Sequence, residues 1–332
     1  MRIPAIAFAC LTLFPSAKAV EFMWAVTGSG GAPSSLYAIN PTNGQALGLV
    51  GSTGTVCLSG LAIQPGTGAL LAAQGQQTPT GADSKRFYRI DKATGAAAAL
   101  GTLDPKYAIS DLAMRADGTL YAFGIGSTVK KLMTINQATG APTEIGNTNN
   151  ITNVSLTFGS NGVLYLVRTN GLFTVNPATG MMSALVAALN GATTQIDNMM
   201  ATSSSGVIYA GLRNGGSTSF YTLDPTTATT VLVGTAAGVD LCGIAFDNAG
   251  PPTISIKGKK KITTKKTTVT IKGAASSLLP LTVSAPKSKS AKVVGGSWTM
   301  KVKLKHGKNR VKLTCTDGFG QSALTKVTVV RD

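Results

Sequence analysis

The chain is poor in the side chains that carry most enzyme chemistry. Its 332 residues include one histidine, His306, and 13 acidic residues, of which only Glu21 and Glu144 are glutamates. A single histidine excludes His-rich metal sites and makes imidazole acid–base work improbable. His306 precedes Gly307 among lysines. That is a surface-turn setting, and no Ser or Cys nucleophile motif accompanies it. Asp111, Asp197 and Asp240 are the carboxylates that could converge on an ion such as calcium, which takes oxygen ligands. The competing expectation is three separate carboxylates, each bonded to nearby backbone. Cysteines stand at 10, 57, 242 and 315, and an exported chain could pair two of them. A run of cations, Lys257, Lys259, Lys260, Lys261, Lys265 and Lys266, is either a solvated face or a contact for an anionic polymer.

A repeat positions these groups. Leu36-Tyr37-Ala38-Ile39-Asn40-Pro41-Thr42-Asn43-Gly44 has counterparts beginning at Phe87, Leu132, Leu172 and Phe220, a period of about 46 residues. Each alternates as a short strand and then enters an Asn/Asp-x-x-Thr-Gly turn. The Asn or Asp side chain accepts backbone bonds at the turn start, and glycine supplies positive φ near its end. A second pattern recurs as Gly60-Leu61-Ala62-Ile63 with Leu70-Leu71-Ala72, Asp111-Leu112-Ala113-Met114 with Leu120-Tyr121-Ala122, Leu156-Thr157-Phe158 with Leu164-Tyr165, and Met199-Met200-Ala201 with Ile208-Tyr209. Shorter strands ending Val50-Gly51, Leu100-Gly101, Ile145-Gly146 and Val233-Gly234 come between the two patterns. Four strands per repeat of this length is the signature of a propeller blade.

The ends of the repeat region imply closure. Gly243-Ile244-Ala245-Phe246-Asp247 starts a further unit whose second strand is missing before Pro251, and Phe22-Met23-Trp24-Ala25-Val26 supplies that strand. A composite blade of this kind removes free sheet edges. The expected fold is all-β, a five-bladed β-propeller, with six blades as the alternative, followed by a small β-sandwich. Cys57 and Cys242 then sit at the starts of adjacent innermost strands, where a disulfide would clamp the closing blade; two buried thiols are the other reading. Asp111, Asp197 and Asp240 lie at or near inner-strand starts, in registers that differ by one or two residues. Glu21 belongs to the N-terminal edge and Glu144 to an outer strand. The recurring tyrosines, among them Tyr88, Tyr121 and Tyr165, are expected to pack between blades.

The repeat resembles secreted bacterial propeller repeats of unassigned activity, written Leu-Tyr-x-Ile-Asp-Pro-x-Thr-Gly, over residues 20–250. The resemblance implies the fold and, because the shared residues are strand and turn positions, implies no activity. Five-bladed glycosidases of similar architecture use Asp and Glu together, which two glutamates serve poorly. Quinoprotein propellers share the Ala-Thr-Gly turns but carry a tryptophan in each repeat. Here Trp24 is the only tryptophan before Trp298, and no cofactor is expected beyond a structural calcium.

Two composition shifts set the boundaries. Arg2, the apolar stretch Ile3 to Phe14 and Ala17-Lys18-Ala19 read as a signal peptide over 1–19, cleaved after Ala19. No later apolar segment is long enough to span a bilayer. Pro251-Pro252 opens a segment with 18 Lys/Arg and two acids, Asp317 and Asp332, whereas residues 20–250 hold 10 Lys/Arg and 11 acids. Thus almost all of the formal +17 falls after Pro252. Short alternating strands such as Met300, Val302, Leu304 against Lys301, Lys303, Lys305 make 251–332 a small sandwich. Its Lys-x-Gly-Lys-Asn-x-Val, Asp-Gly-x-Gly and final Val-rich strand resemble bacterial immunoglobulin-like modules, which implies a spacer or binding role.

The leading expectation is therefore a secreted or cell-envelope, non-catalytic binding or scaffold protein of bacterial type. Its propeller face would take a protein or glycan, and its basic sandwich would meet an anionic envelope polymer. Nucleic acid is disfavoured because aromatic residues do not interleave with the lysines. One alternative is a secreted lyase or hydrolase acting on carbohydrate or lactone at the channel mouth. A structural envelope protein without a discrete ligand is the other.

Overall fold

The computed structural model describes residues 19–28, 32–75, 86–104, 106–126, 129–148, 154–168, 170–197 and 199–332. The signal segment expected over 1–19, with Cys10, lies outside them apart from Ala19. Among the described residues all regular structure is β, and no helix is long and apolar enough to cross a membrane.

Residues 20–249 build five antiparallel sheets. The first orders Leu241–Ala249, Val20–Thr27, Pro33–Ile39 and Ala46–Val56. The second runs Leu58–Ile63, Leu70–Gln74, Arg86–Ile90, Ala97–Thr102, and the third Ala108–Met114, Leu120–Ile125, Lys130–Ile135, Pro142–Asn147. The fourth is Val154–Phe158, Leu164–Arg168, Gly171–Val175 and the two-residue Ala187–Ala188. The fifth is Met200–Thr202, Ile208–Asn214, Ser217–Leu223 and Thr229–Ala236, with Asn190–Gly191 added in parallel at its outer edge. The first-named strand of each sheet touches the first-named strands of the two neighbouring sheets, from Leu241–Ala249 round through Met200–Thr202 and back. That closed cycle of inner strands around an axis is a β-propeller. Inner strands are buried along their length, as in Ala108–Met114, whereas outer strands such as Ala97–Thr102 are half exposed.

The composite first sheet closes the ring by pairing Val20–Thr27 with Leu241–Ala249, from Val20 opposite Ala249 to Thr27 opposite Leu241. A side-chain clasp reinforces it. Buried Trp24 donates its indole N–H to Asp247 Oδ2 at 2.9 Å, and Lys92 of the second sheet reaches the same oxygen at 2.8 Å. Both partners of that ion pair are largely shielded from water, so it is screened less than a surface pair.

A second seam runs around the outside. Asn40, Asp91, Asn136, Asn176 and Asp224 each accept the amide two residues on, and each turn ends on a residue of positive φ. Four of these turns drive into a glycine on the fourth strand, counted from the axis, of the preceding sheet. A Cβ on Gly51, Gly101, Gly146 or Gly234 would lie 1.7–2.0 Å from a carbonyl oxygen of the incoming turn. These glycines, expected from the sequence as strand ends, lie within strands that run on past them, and close backbone approach requires them there. The fifth joint differs: Ala228, at φ 55°, replaces glycine, and Asn190 donates its amide to Ala228 O at 3.2 Å.

Residues 253–331 form two further sheets that share no strand with the ring. One orders Thr253–Ile256, Thr268–Ser276, Ser297–Lys303; the other Lys261–Thr264, Ser322–Arg331, Gly307–Asp317, Leu281–Ser284, Ala291–Lys292. Alternate residues of both, including Trp298, Met300, Val302, Val311, Leu313, Cys315, Val327 and Val329, fill the space between them. Period-two alternation of this kind puts the intervening lysines outside.

Gly101→Ala tests the outer seam. Overpacking against backbone that cannot swing aside should lower stability by about 1–3 kcal/mol. Gly250→Ala, at a position with open space around it, should leave the urea midpoint unchanged.

Candidate functional site

The axis carries polar groups at one end of the inner strands and a cavity at the other. Ser59, Ser110 and Cys242 are each the extra residue of a β-bulge near the start of an inner strand. A bulge re-aims its side chain. Ser59 donates to Ile109 O at 2.5 Å and Ser110 to Val154 O at 2.8 Å, and Ser155 donates to Asp197 O. Each serine thereby ties its strand to the next sheet.

Asp111 is the central tie. It is fully buried, and its carboxylate accepts the amides of Leu112 at 2.9 Å, Leu156 at 3.0 Å and Met200. Those donors belong to three successive sheets. Burial pushes its pKa well above the ordinary carboxylate value, and the three amides pull in the opposite direction. Asp111 is a structural acceptor, closed to solvent and substrate alike.

Asp197 and Asp240 do meet, on Arg213. Arg213 Nε lies 3.5 Å from Asp197 Oδ2 and 3.9 Å from Asp240 Oδ1, while its amide donates to Asp197 Oδ2 at 2.6 Å. Arg213 Nη1 also donates to Cys242 Sγ at 3.3 Å. The three candidate carboxylates are therefore split, with two around a guanidinium and one sealed in the core. Among the described residues no three His, Cys, Asp or Glu side chains are grouped to hold a metal ion. Sequence reasoning missed Arg213 because it lies on the second strand of its sheet, outside both repeat patterns, and reaches the axis through its length.

Of the two readings for Cys57 and Cys242, the structure takes the second: no disulfide joins them and both are buried thiols. Cys242 is turned to Arg213 and to the Gly28 amide. Burial raises the pKa of Cys57 and of Cys242, with Arg213 partly opposing it at Cys242. A thiol held protonated in this way is no nucleophile.

At the opposite end, a cavity of about 550 Å³ opens where the inner strands finish, and all five sheets line it. Its wall includes Leu61, Leu112, Phe158, Met200 and Ile244, with Glu21 and Arg115 among its few charged groups. Glu21, expected only at the N-terminal edge, lines this mouth and accepts the Ser204 amide at 2.5 Å. Arg115 is held by Asp117 and donates to the Tyr121 hydroxyl at 3.0 Å. With one carboxylate engaged by backbone and the guanidinium already paired, the cavity can hold an apolar or neutral group but lacks the two-carboxylate pair of a glycosidase. Glu144 sits on an outer strand, bonded to Tyr107 at 2.7 Å and Lys131 at 2.9 Å. Burial, with the Glu144 carboxylate adding to it, pushes Tyr107 up to about 12. The tyrosines pack between sheets, as Tyr121 does against Phe158 at 5.2 Å. His306 is exposed in its turn.

The six lysines from Lys257 to Lys266 are all exposed, but they do not form one patch. Lys257 follows the edge strand of the three-stranded sheet, and Lys261 opens a strand of the five-stranded sheet.

Asp111→Asn should destabilise the ring by about 1–3 kcal/mol despite equal size, because an amide group would face a buried N–H donor. Asp111→Ala strands all three donors and should cost more. Chemical denaturation of the two variants checks the order.

No family model matches the chain. No curated protein matches it. Solved structures resemble it at low identity. A chain of a nidogen/laminin complex is 11% identical, with 68% of this chain and 98% of that chain covered and a TM-score of 0.46. TolB from Acinetobacter baumannii is 12% identical, with 92% and 63% covered and a TM-score of 0.43. A calcium-binding protein, regucalcin, from Agrobacterium tumefaciens is 17% identical, with 60% and 70% covered and a TM-score of 0.37. Likenesses of this depth carry no argument about activity, and the propeller fold stands on its own strand pairing and ring of contacts.

Proposed function

We propose that the chain is an exported binding protein of the cell envelope. In this reading residues 20–250 are a five-bladed propeller that presents its axial cavity to a protein or glycan. Residues 251–332 are an immunoglobulin-like module that associates with an anionic envelope polymer. The observation that carries the proposal is electrostatic. Among the described residues, every ion pair joins two residues of the ring, such as Lys92 with Asp247 and Lys131 with Glu144, and none of the 18 Lys and Arg of residues 251–332 forms one. A module with so much unneutralised charge binds polyanions through counterion release, which makes affinity fall steeply with salt.

The enzyme reading is favoured by one feature, the meeting of Asp197 and Asp240 on Arg213. It has the protein hydrolyse a lactone or cleave a carbohydrate at an axial mouth. Turnover of such substrates that Asp197→Asn abolishes would establish it, and no turnover by the intact protein would sink it.

Two measurements test the main reading. Expressed with its leader, the protein should be recovered outside the cytoplasm beginning at Val20, the first residue of the closing strand; a cytoplasmic product starting at Met1 contradicts export. Affinity of the intact mature protein for long-chain polyphosphate should drop by orders of magnitude between low and physiological salt. Absent or salt-insensitive binding removes the role of the basic module.

A further inference from the structure

The sandwich is basic on both of its outer faces. On the three-stranded sheet, Lys272, Lys301 and Lys303 point outward, and Lys257 pairs its amide with Lys272 O at 2.9 Å, which brings it beside them. On the five-stranded sheet, Lys261, Lys308, Arg310, Lys312 and Lys326 share the outer side. Lys312 stands directly opposite Lys326, and Arg310, Thr328 and Lys261 form one cross-strand row. All nine cations are exposed, and no acid stands on either face. Of the domain's two acids, Asp317 is buried and Asp332 is the last residue. Like charges directly opposite each other destabilise a sheet. An anion laid across them would relieve that repulsion.

We propose that the sandwich is a bivalent cross-linker, holding one chain of a phosphate-backbone polymer on each face. The inference rests on the polymer-binding reading above and adds geometry to it. Two sheets packed face to face stand about 10 Å apart. The two sets of cations therefore point away from each other, and one chain cannot satisfy both without wrapping an edge. Along a strand the cations recur at every second residue, about 7 Å apart, with Thr270, Thr299, Thr314 and Thr328 supplying hydroxyls between them. Neither face carries an aromatic side chain: Trp298 is in the core and Phe319 lies against the ring. Rings of sugars or bases thus find no stacking platform. What the faces can read is charge carried in the polymer backbone itself, as in a phosphodiester or polyphosphate chain. The sequence alone suggests one lysine cluster; the sheets distribute it as two.

Light scattering from the intact mature protein mixed with long-chain polyphosphate tests the proposal. Scattering should rise to a maximum near charge balance and fall again in protein excess, as chains become singly coated. Two exposed-residue variants separate the faces: Lys272→Gln/Lys301→Gln/Lys303→Gln, and Arg310→Gln/Lys312→Gln/Lys326→Gln. Each should still bind labelled polyphosphate, with a log–log salt slope shallower by about 2–3 for three lost contacts, and each should lose the scattering maximum. Scattering that survives in either variant, or wild-type binding without any maximum, overturns the cross-linking inference and leaves the polymer-binding reading intact. Failure of the wild-type protein to bind overturns both. Preference for duplex DNA or for polygalacturonate over polyphosphate at equal charge overturns the assignment of a phosphate-backbone envelope polymer.

Discussion

Ring closure through backbone hydrogen bonds is the constraint on which the other features depend. Val20–Thr27 and Leu241–Ala249 are separated by most of the ring's sequence, and their pairing joins the two ends of the array. Until it forms, the inner strands have no cycle, Asp111 has no fixed set of three amides, and the cavity has no fifth wall. The Trp24–Asp247–Lys92 clasp adds side-chain bonds across the same junction. Long-range pairing of this kind has a high entropic cost before its contacts are made. The two seams add to that closure: serine bonds join the second, third, fourth and fifth sheets in turn on the inside, and turn-on-glycine contacts make four of the five joints on the outside.

Much of this architecture was legible in the sequence because its determinants are local. The Asn/Asp-x-x-Thr-Gly turns, the alternation of Met300, Val302 and Leu304, and the split second strand at Phe22–Val26 are each visible within a few residues. The glycines at 51, 101, 146 and 234 could be found as strand ends, but the reason for them, an oncoming turn from the neighbouring sheet, exists only in three dimensions. The outer strand of the fourth sheet is only Ala187–Ala188, too short to show a pattern in the sequence.

The polar groups were harder to read. Asp111, Asp197 and Asp240 look alike as sequence positions, yet one faces three buried amides and two face Arg213. Asp111 lies within its inner strand, just after the bulge at Ser110, whereas Asp197 and Asp240 precede the first residues of theirs, and composition carries no trace of that difference. Cys57 precedes the inner strand Leu58–Ile63 and Cys242 lies in the neighbouring inner strand Leu241–Ala249; what sequence could not supply was the guanidinium of Arg213 beside the second sulfur. The lysine run was read as one cluster because the two edge strands it spans are consecutive in the chain and belong to different sheets.

The two tryptophans noted along the way divide between the two modules. Trp24 is sealed in the closing sheet of the ring, and Trp298 in the core of the sandwich. The chain holds no others. Its intrinsic ultraviolet emission is therefore a two-channel signal, with one chromophore reporting the seal of the ring and the other the integrity of the basic module. Silencing either with phenylalanine would turn the protein into an optical gauge of the remaining half.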